Sequence, residues 1–174
     1  MKSTQEKYLP EFVYGATDGL VTTFAIVSGV MGAALSPVIV LILGFANVLA
    51  DGFSMGASNY LASKSELDLE KKNNQVSVKT KSPLKTGIAT FSAFVVVGVI
   101  PLIPFVFGYF LNTDSTSLFY QSIGITVIVF FVIGLFRGFI AHVPPIKTAF
   151  ETLFVGTLAA IISYVVGALL QGLH

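Results

Sequence analysis

Five long apolar runs, separated by short polar links, govern what this chain can become. They cover roughly residues 14–35, 37–62, 86–111, 117–136 and 148–170. Each suits about 30 Å of hydrocarbon at about 1.5 Å of rise per residue, with some tilt. Only helices and closed barrels cross lipid, because every backbone N–H and C=O must find its partner within the protein. A barrel strand alternates with period two, and residues 91–107 and 124–136 do not. The chain is 54% hydrophobic and 11% charged, against about 25% charged in ordinary globular proteins. The expectation is an all-α, polytopic membrane protein with five transmembrane helices, a single membrane domain over 1–174.

The links set its orientation. Residues 1–13 precede the first run, and Glu6, Lys7 and Glu11 mix there with Tyr8, Leu9, Phe12 and Val13, which predicts an interfacial helix. No signal-peptide pattern appears, so the first run is expected to stay as a helix. Ser36-Pro37 reads as a tight stop and restart, 63–85 as a short cytoplasmic loop, and Pro101 with Pro104 as a kink. Lys2 and Lys7 precede the first run. Lys64, Lys71, Lys72, Lys79, Lys81 and Lys85 lie between the second and third, and Arg137 and Lys147 flank the last link. The other links carry no Lys or Arg, which predicts a cytoplasmic N-terminus and an outside or lumenal C-terminus. The same topology serves a bacterial plasma membrane or a vacuolar-type one.

Two of the runs carry residues that lipid-facing helices avoid. The first contains Tyr14-Gly-Ala-Thr-Asp18-Gly-Leu-Val-Thr-Thr23, the second Asp51-Gly-Phe-Ser-Met-Gly-Ala-Ser-Asn59. An ionisable group at a span's centre costs about 2.5–3.5 kcal/mol on insertion scales, so it points to an ion or proton path. Asn47, Asp51, Met55 and Asn59 repeat every four residues, giving a slowly drifting polar stripe. In a hairpin hinged at Ser36-Pro37, Asp18 and Met55 each lie about eighteen residues, roughly 27 Å, from the hinge. They are expected at similar depth. Gly15 with Gly19, and Gly52 with Gly56, are expected to press the two helices together.

Each residue has a plainer reading beside the sharper one. Asp18 is a metal ligand and proton carrier, or an interfacial acid hydrogen-bonded to Thr22. Met55 is a soft thioether ligand suited to transition metals, or packing filler. Asp51 is a ligand and proton carrier, or a structural acid bonded to Asn47, Ser54 or a neighbouring helix. Asn47 and Asn59 read first as interhelical hydrogen-bonders. Glu66, Asp68 and Glu70 form a solvated face or a metal-collecting entrance. Glu151 complements a helix N-terminus or handles protons. Arg137 reads as a topology anchor, and His142 and His174 belong to no spaced ligand set.

The chain has no cysteine, nucleophile elbow, His-Glu-x-x-His, P-loop or dinucleotide fingerprint. An enzyme is not expected, nor a cofactor, nor a nucleic-acid partner, and transport would draw on a gradient rather than ATP.

The motif from Asp18 through Gly29, and that from Ala50 to Glu66, resemble the vacuolar iron transporter family. Pro101-Leu-Ile-Pro-Phe105 and Glu151 with Gly156-Thr-Leu-Ala-Ala fit the same family. The resemblance implies a homodimer of five-helix subunits whose first helices line a central path. Through it Fe²⁺ or Mn²⁺ would leave the cytosol in exchange for protons. Asp18 and Met55 match the family's metal-path acid and methionine. Two departures stand out. Asn47 replaces a glutamate two turns before the methionine, leaving Asp51 as the nearby acid. The long cytoplasmic domain between helices two and three is cut to 63–85. The expected function is proton-coupled export of Fe²⁺ and/or Mn²⁺, with a membrane scaffold or accessory subunit and a passive cation channel as alternatives.

Overall fold

The structure, a computed structural model, describes residues 4–73, 81–111 and 113–173, so Lys2, Lys79 and His174 lie outside the described residues. It is helical throughout: α1 (Thr4–Gly32), α2 (Pro37–Lys72), α3 (Pro83–Gly98), a 3₁₀ turn (Ile100–Leu102), α4 (Ile103–Leu111), α5 (Ser115–Ala141) and α6 (Pro145–Leu170), closed by a short 3₁₀ turn (Gln171–Leu173). Among the described residues, five helical segments are long and apolar enough to cross a membrane, with α3 and α4 counting as one. The chain is a multi-pass membrane protein. Two boundaries differ from expectation. The N-terminal segment joins the first span in a single helix, and the first turns of the 63–85 loop prolong α2 to Lys72.

Local chemistry explains the ends. Pro37, Pro83 and Pro145 open their helices, where the missing N–H is no loss. Asp114 caps α5 by accepting from the Ser117 N–H at 2.8 Å. That bond, the largest influence, holds the Asp114 carboxyl below the usual carboxylate range. α1 ends with Ala34 in the left-handed region (φ 54°), Leu35 N–H bonding Val30 O and Ala34 N–H bonding Met31 O. His142 (φ 54°) ends α5 by the same pair of bonds, to Gly138 and Phe139. Pro101 and Pro104 produce the expected interruption, and the buried Ser122 hydroxyl donates to Pro101 O at 2.8 Å.

Helix α1 runs through the middle, packed on α3 and α6, while α2 packs mainly on α3 and α5 mainly on α6. Here the glycine expectation needs correcting. Gly15 and Gly19 seat against the backbone of Thr90 and Phe94, and Gly52 and Gly56 against Phe94, Phe91 and Gly87. Both pairs bring their helices onto α3, not onto each other. A Cβ at Gly19 would stand 2.5 Å from the Phe94 carbonyl oxygen. Leu20, Val27, Phe94, Leu102, Phe105 and Phe130 fill the interior. Phe150, Phe154, Leu158 and Ile161 of α6 point outward, as a lipid-facing surface does.

One end of the bundle gathers the polar links. Glu11 and Lys81 form an ion pair there, the Ser82 N–H donates to the Tyr8 hydroxyl at 3.0 Å, and Arg137 meets Glu151 at 3.6 Å. α1, α3 and α6 begin at this end; α2 and α5 finish at it.

Candidate functional site

Because α2 turns its glycine stripe (Gly44, Gly52, Gly56, with Val48) to α3 and the 3₁₀ turn after it, the neighbouring stripe of Asn47, Asp51, Met55 and Asn59 is left half-buried, with Met55 toward α1. The two stripes share a four-residue repeat and stand one residue apart. Packing of the first therefore fixes where the second points.

A cleft of about 340 Å³ opens along this stripe. Tyr14 of α1 and Ser54, Met55, Ser58, Asn59 and Ala62 of α2 line it. It offers one thioether, three hydroxyls and one amide, a set of neutral donors. The charged pair lies one turn deeper, where Asp18 and Asp51 stand within electrostatic range of each other. Asp18 is half-buried on α1. The Thr22 hydroxyl donates to the Asp18 main-chain oxygen at 2.9 Å, so the expected tie to Thr22 reaches the backbone rather than the carboxylate.

Depth departs from expectation by about one turn. Asp18 faces the level of Asp51, and it is Tyr14 that shares the cleft with Met55. The left-handed residue Ala34 starts the reversal before Ser36-Pro37, which moves the hinge back and shifts the pairing.

The remaining candidates lie apart. Asn47 is half-buried on α2, and its Nδ2 is buried without a partner among the described residues. Glu66 is exposed and Glu70 half-buried on the part of α2 that extends past the apolar run. Asp68 approaches Lys71 there at 3.9 Å, a solvated pair. Glu151 sits on α6 against Arg137, both about half exposed. Among the described residues no three of His, Cys, Asp and Glu cluster as a metal cage.

Four residues contribute that the sequence did not single out as site residues. Tyr14 walls the cleft, and its place one turn before Asp18 was the available signal. Ser54 and Ser58 line the same face with a four-residue spacing. Thr90 of α3, fully buried, accepts a hydrogen bond from Asn59 Nδ2 at 2.6 Å. Nothing in the pattern of α3 marked it.

Comparison with known sequences decides the family. The model of the VIT family matches residues 9–81 and 73–168, nearly the whole chain. The chain belongs to the VIT family. Its relatives within VIT include the "Vacuolar iron transporter" of Plasmodium falciparum (27% identical, covering 94% of this chain and 82% of the relative) and that of Toxoplasma gondii (26%, 97% and 76%). "Vacuolar iron transporter 1" of Arabidopsis thaliana is 26% identical over 97% of this chain and 88% of its own length. VIT proteins are transporters, not enzymes. The Arabidopsis alignment runs over 224 positions and the Toxoplasma one over 230, against 174 residues here, so these VIT relatives carry insertions. The two pieces of the VIT match meet at 73–81, just beyond the end of α2.

Proposed function

We propose that this protein carries divalent transition-metal cations, Fe²⁺ and/or Mn²⁺, out of the cytosol in exchange for protons, as a homodimer. The observation that carries the reading is the Asp18–Asp51 pair, placed inside two spans one turn from the Met55 cleft. Two carboxylates within electrostatic range of each other inside a membrane repel. A divalent cation neutralises both at once, and in its absence protons serve, so the same two groups bind either the cargo or the counter-ion. Met55 biases the site toward transition metals, because Mg²⁺ and Ca²⁺ prefer an all-oxygen shell. The names of the relatives support iron as cargo.

Basic residues cluster at the end that holds Glu11–Lys81 and Arg137–Glu151, which supports a cytoplasmic assignment for that end. The Met55 cleft lies between Asp18 and this end, so the cargo meets the neutral donors before the acids. Glu66 and Glu70, on the α2 extension, stand about 16 Å or more beyond Met55 as a candidate entrance. Glu151 remains a second candidate for proton handling. Dimerisation answers a physical problem. Asp18 is only half-buried and Tyr14 is 58% exposed, so a lone subunit would offer this stripe to lipid.

The test is uptake of Fe²⁺ and Mn²⁺ into proteoliposomes with an internal pH dye. Metal entry with opposite proton movement is expected, and Asp18→Asn should lower the initial rate about tenfold or more. Absence of flux would leave a membrane scaffold as the better reading, and flux without proton movement a passive channel.

A further inference from the structure

Asn59 lines the Met55 cleft, yet half of its amide is already committed. Its Nδ2 lies 2.6 Å from Thr90 Oγ1. That hydroxyl has one proton, and it is spent on Thr86 O at 3.1 Å, within α3. Thr90 can therefore only accept from Asn59, and only the NH₂ end of the amide can donate to it. The carbonyl end, Oδ1, is the half left for the cleft. Thr90 is itself held on both sides. It is fully buried, and α1 presses Gly15 directly on its main-chain carbonyl, where any side chain would overlap.

We infer that Asn59 is a cargo ligand through Oδ1, adding a neutral oxygen to the Met55 sulfur, and that Thr90 is the positioning residue that keeps that oxygen turned inward. The inference rests on the proposed metal path and deepens it. Met55 alone would favour soft cations. An oxygen locked one turn away widens the site toward Mn²⁺ and Fe²⁺, which accept mixed sulfur and oxygen donors. The oxygen is uncharged, so the cargo is held on entry without adding a third carboxylate to the Asp18–Asp51 pair.

The experiment compares Mn²⁺ and Cd²⁺ uptake by full-length protein in proteoliposomes, for Asn59→Ala, Thr90→Val, Thr90→Ser and Met55→Leu. Asn59→Ala and Thr90→Val should raise the KM for Mn²⁺ about tenfold, the scale on which outer-shell partners act. The maximal rate should change little. The KM for Cd²⁺, a softer ion, should rise less, and Thr90→Ser, which keeps the hydroxyl, should behave as wild type. A Mn²⁺ KM within twofold of wild type for Asn59→Ala overturns the ligand assignment. Equal rises for both ions overturn it too, since a merely structural role would produce them. Met55→Leu separates the two levels. If it raises KM while Asn59→Ala does not, only the Asn59 assignment falls; if neither does, the metal-path reading falls with it. Should Thr90→Val fail to assemble, Asn59→Ala, which removes an amide and adds nothing, carries the same test.

Discussion

Two stripes on α2 repeat every four residues and stand side by side, yet they do opposite things. Gly44, Val48, Gly52 and Gly56 are buried on the side of α3 and the 3₁₀ turn, where the missing side chains leave room for Leu102, Phe94 and Phe91 and, at Gly56, for the Gly87 backbone. Asn47, Asp51, Met55 and Asn59 stay half-buried, with a cleft along part of their length. Packing of the small residues therefore sets where the polar ones point. On the proposed reading, stability and transport rest on separate faces of one helix, so variants should separate them as well.

The largest effect is expected where backbone meets backbone. Gly19→Ala sets a methyl 2.5 Å from the Phe94 carbonyl oxygen, which cannot move aside as a side chain would. A loss of about 3 kcal/mol is expected, the upper end of overpacking, seen as a lower melting temperature in detergent and poor recovery of folded protein. Gly52→Ala is the contrast. Its methyl would meet only side chains, Phe94, Val95 and Phe91 at 3.2–3.4 Å, and better helix propensity offsets the crowding. Near-neutral melting is expected, and a loss as large as that of Gly19→Ala would break the distinction between the two contacts.

Next comes Asp51→Asn, on the neighbouring stripe. On the proposed reading transport should fall about tenfold while the melting temperature holds or rises, because a repulsive partner of Asp18 has been removed. A variant that loses stability together with flux would show that Asp51 serves packing after all. Gly124 of α5 sharpens the contrast from the other side. A Cβ there meets nothing within 4 Å, so Gly124→Ala should gain up to about 1 kcal/mol from propensity and leave flux alone.

The smallest effect concerns an acid that belongs to architecture. Asp114 is held below the usual carboxylate range by the Ser117 N–H, so its cap is fully formed above about pH 3.9 and is lost as pH falls through the lowered value. Asp114→Ala should melt slightly earlier than wild type at pH 7 and at the same temperature near pH 2. Thermal unfolding at the two pH values checks this.

How much of this was legible beforehand depends on what a residue pattern encodes. The five spans, the interruption at Pro101 and the helix start at Pro37 follow from local chemistry, and they stood in the chain to be read; α6 starts at Pro145, three residues before the run expected from 148. Periodicity also picked out both small-residue faces. It could not say which helix would sit on them, because a small-residue face admits any close neighbour; Gly15 and Gly52 both meet α3. The depth match slipped for a similar reason. Counting from Ser36-Pro37 ignored Ala34, whose left-handed backbone no alanine advertises. Asp18, Asp51 and Met55 stood out because lipid should have excluded two of them. Thr90 did not, since a threonine bonded back to its own helix looks the same whether or not it also holds Asn59.

Helix α2 has 36 residues and is therefore about 54 Å long, against about 30 Å of hydrocarbon. The surplus stands out from the bilayer as a mast. The two pieces of the family match join just past its tip, so an insertion there would lengthen the link between α2 and α3 without repacking a span.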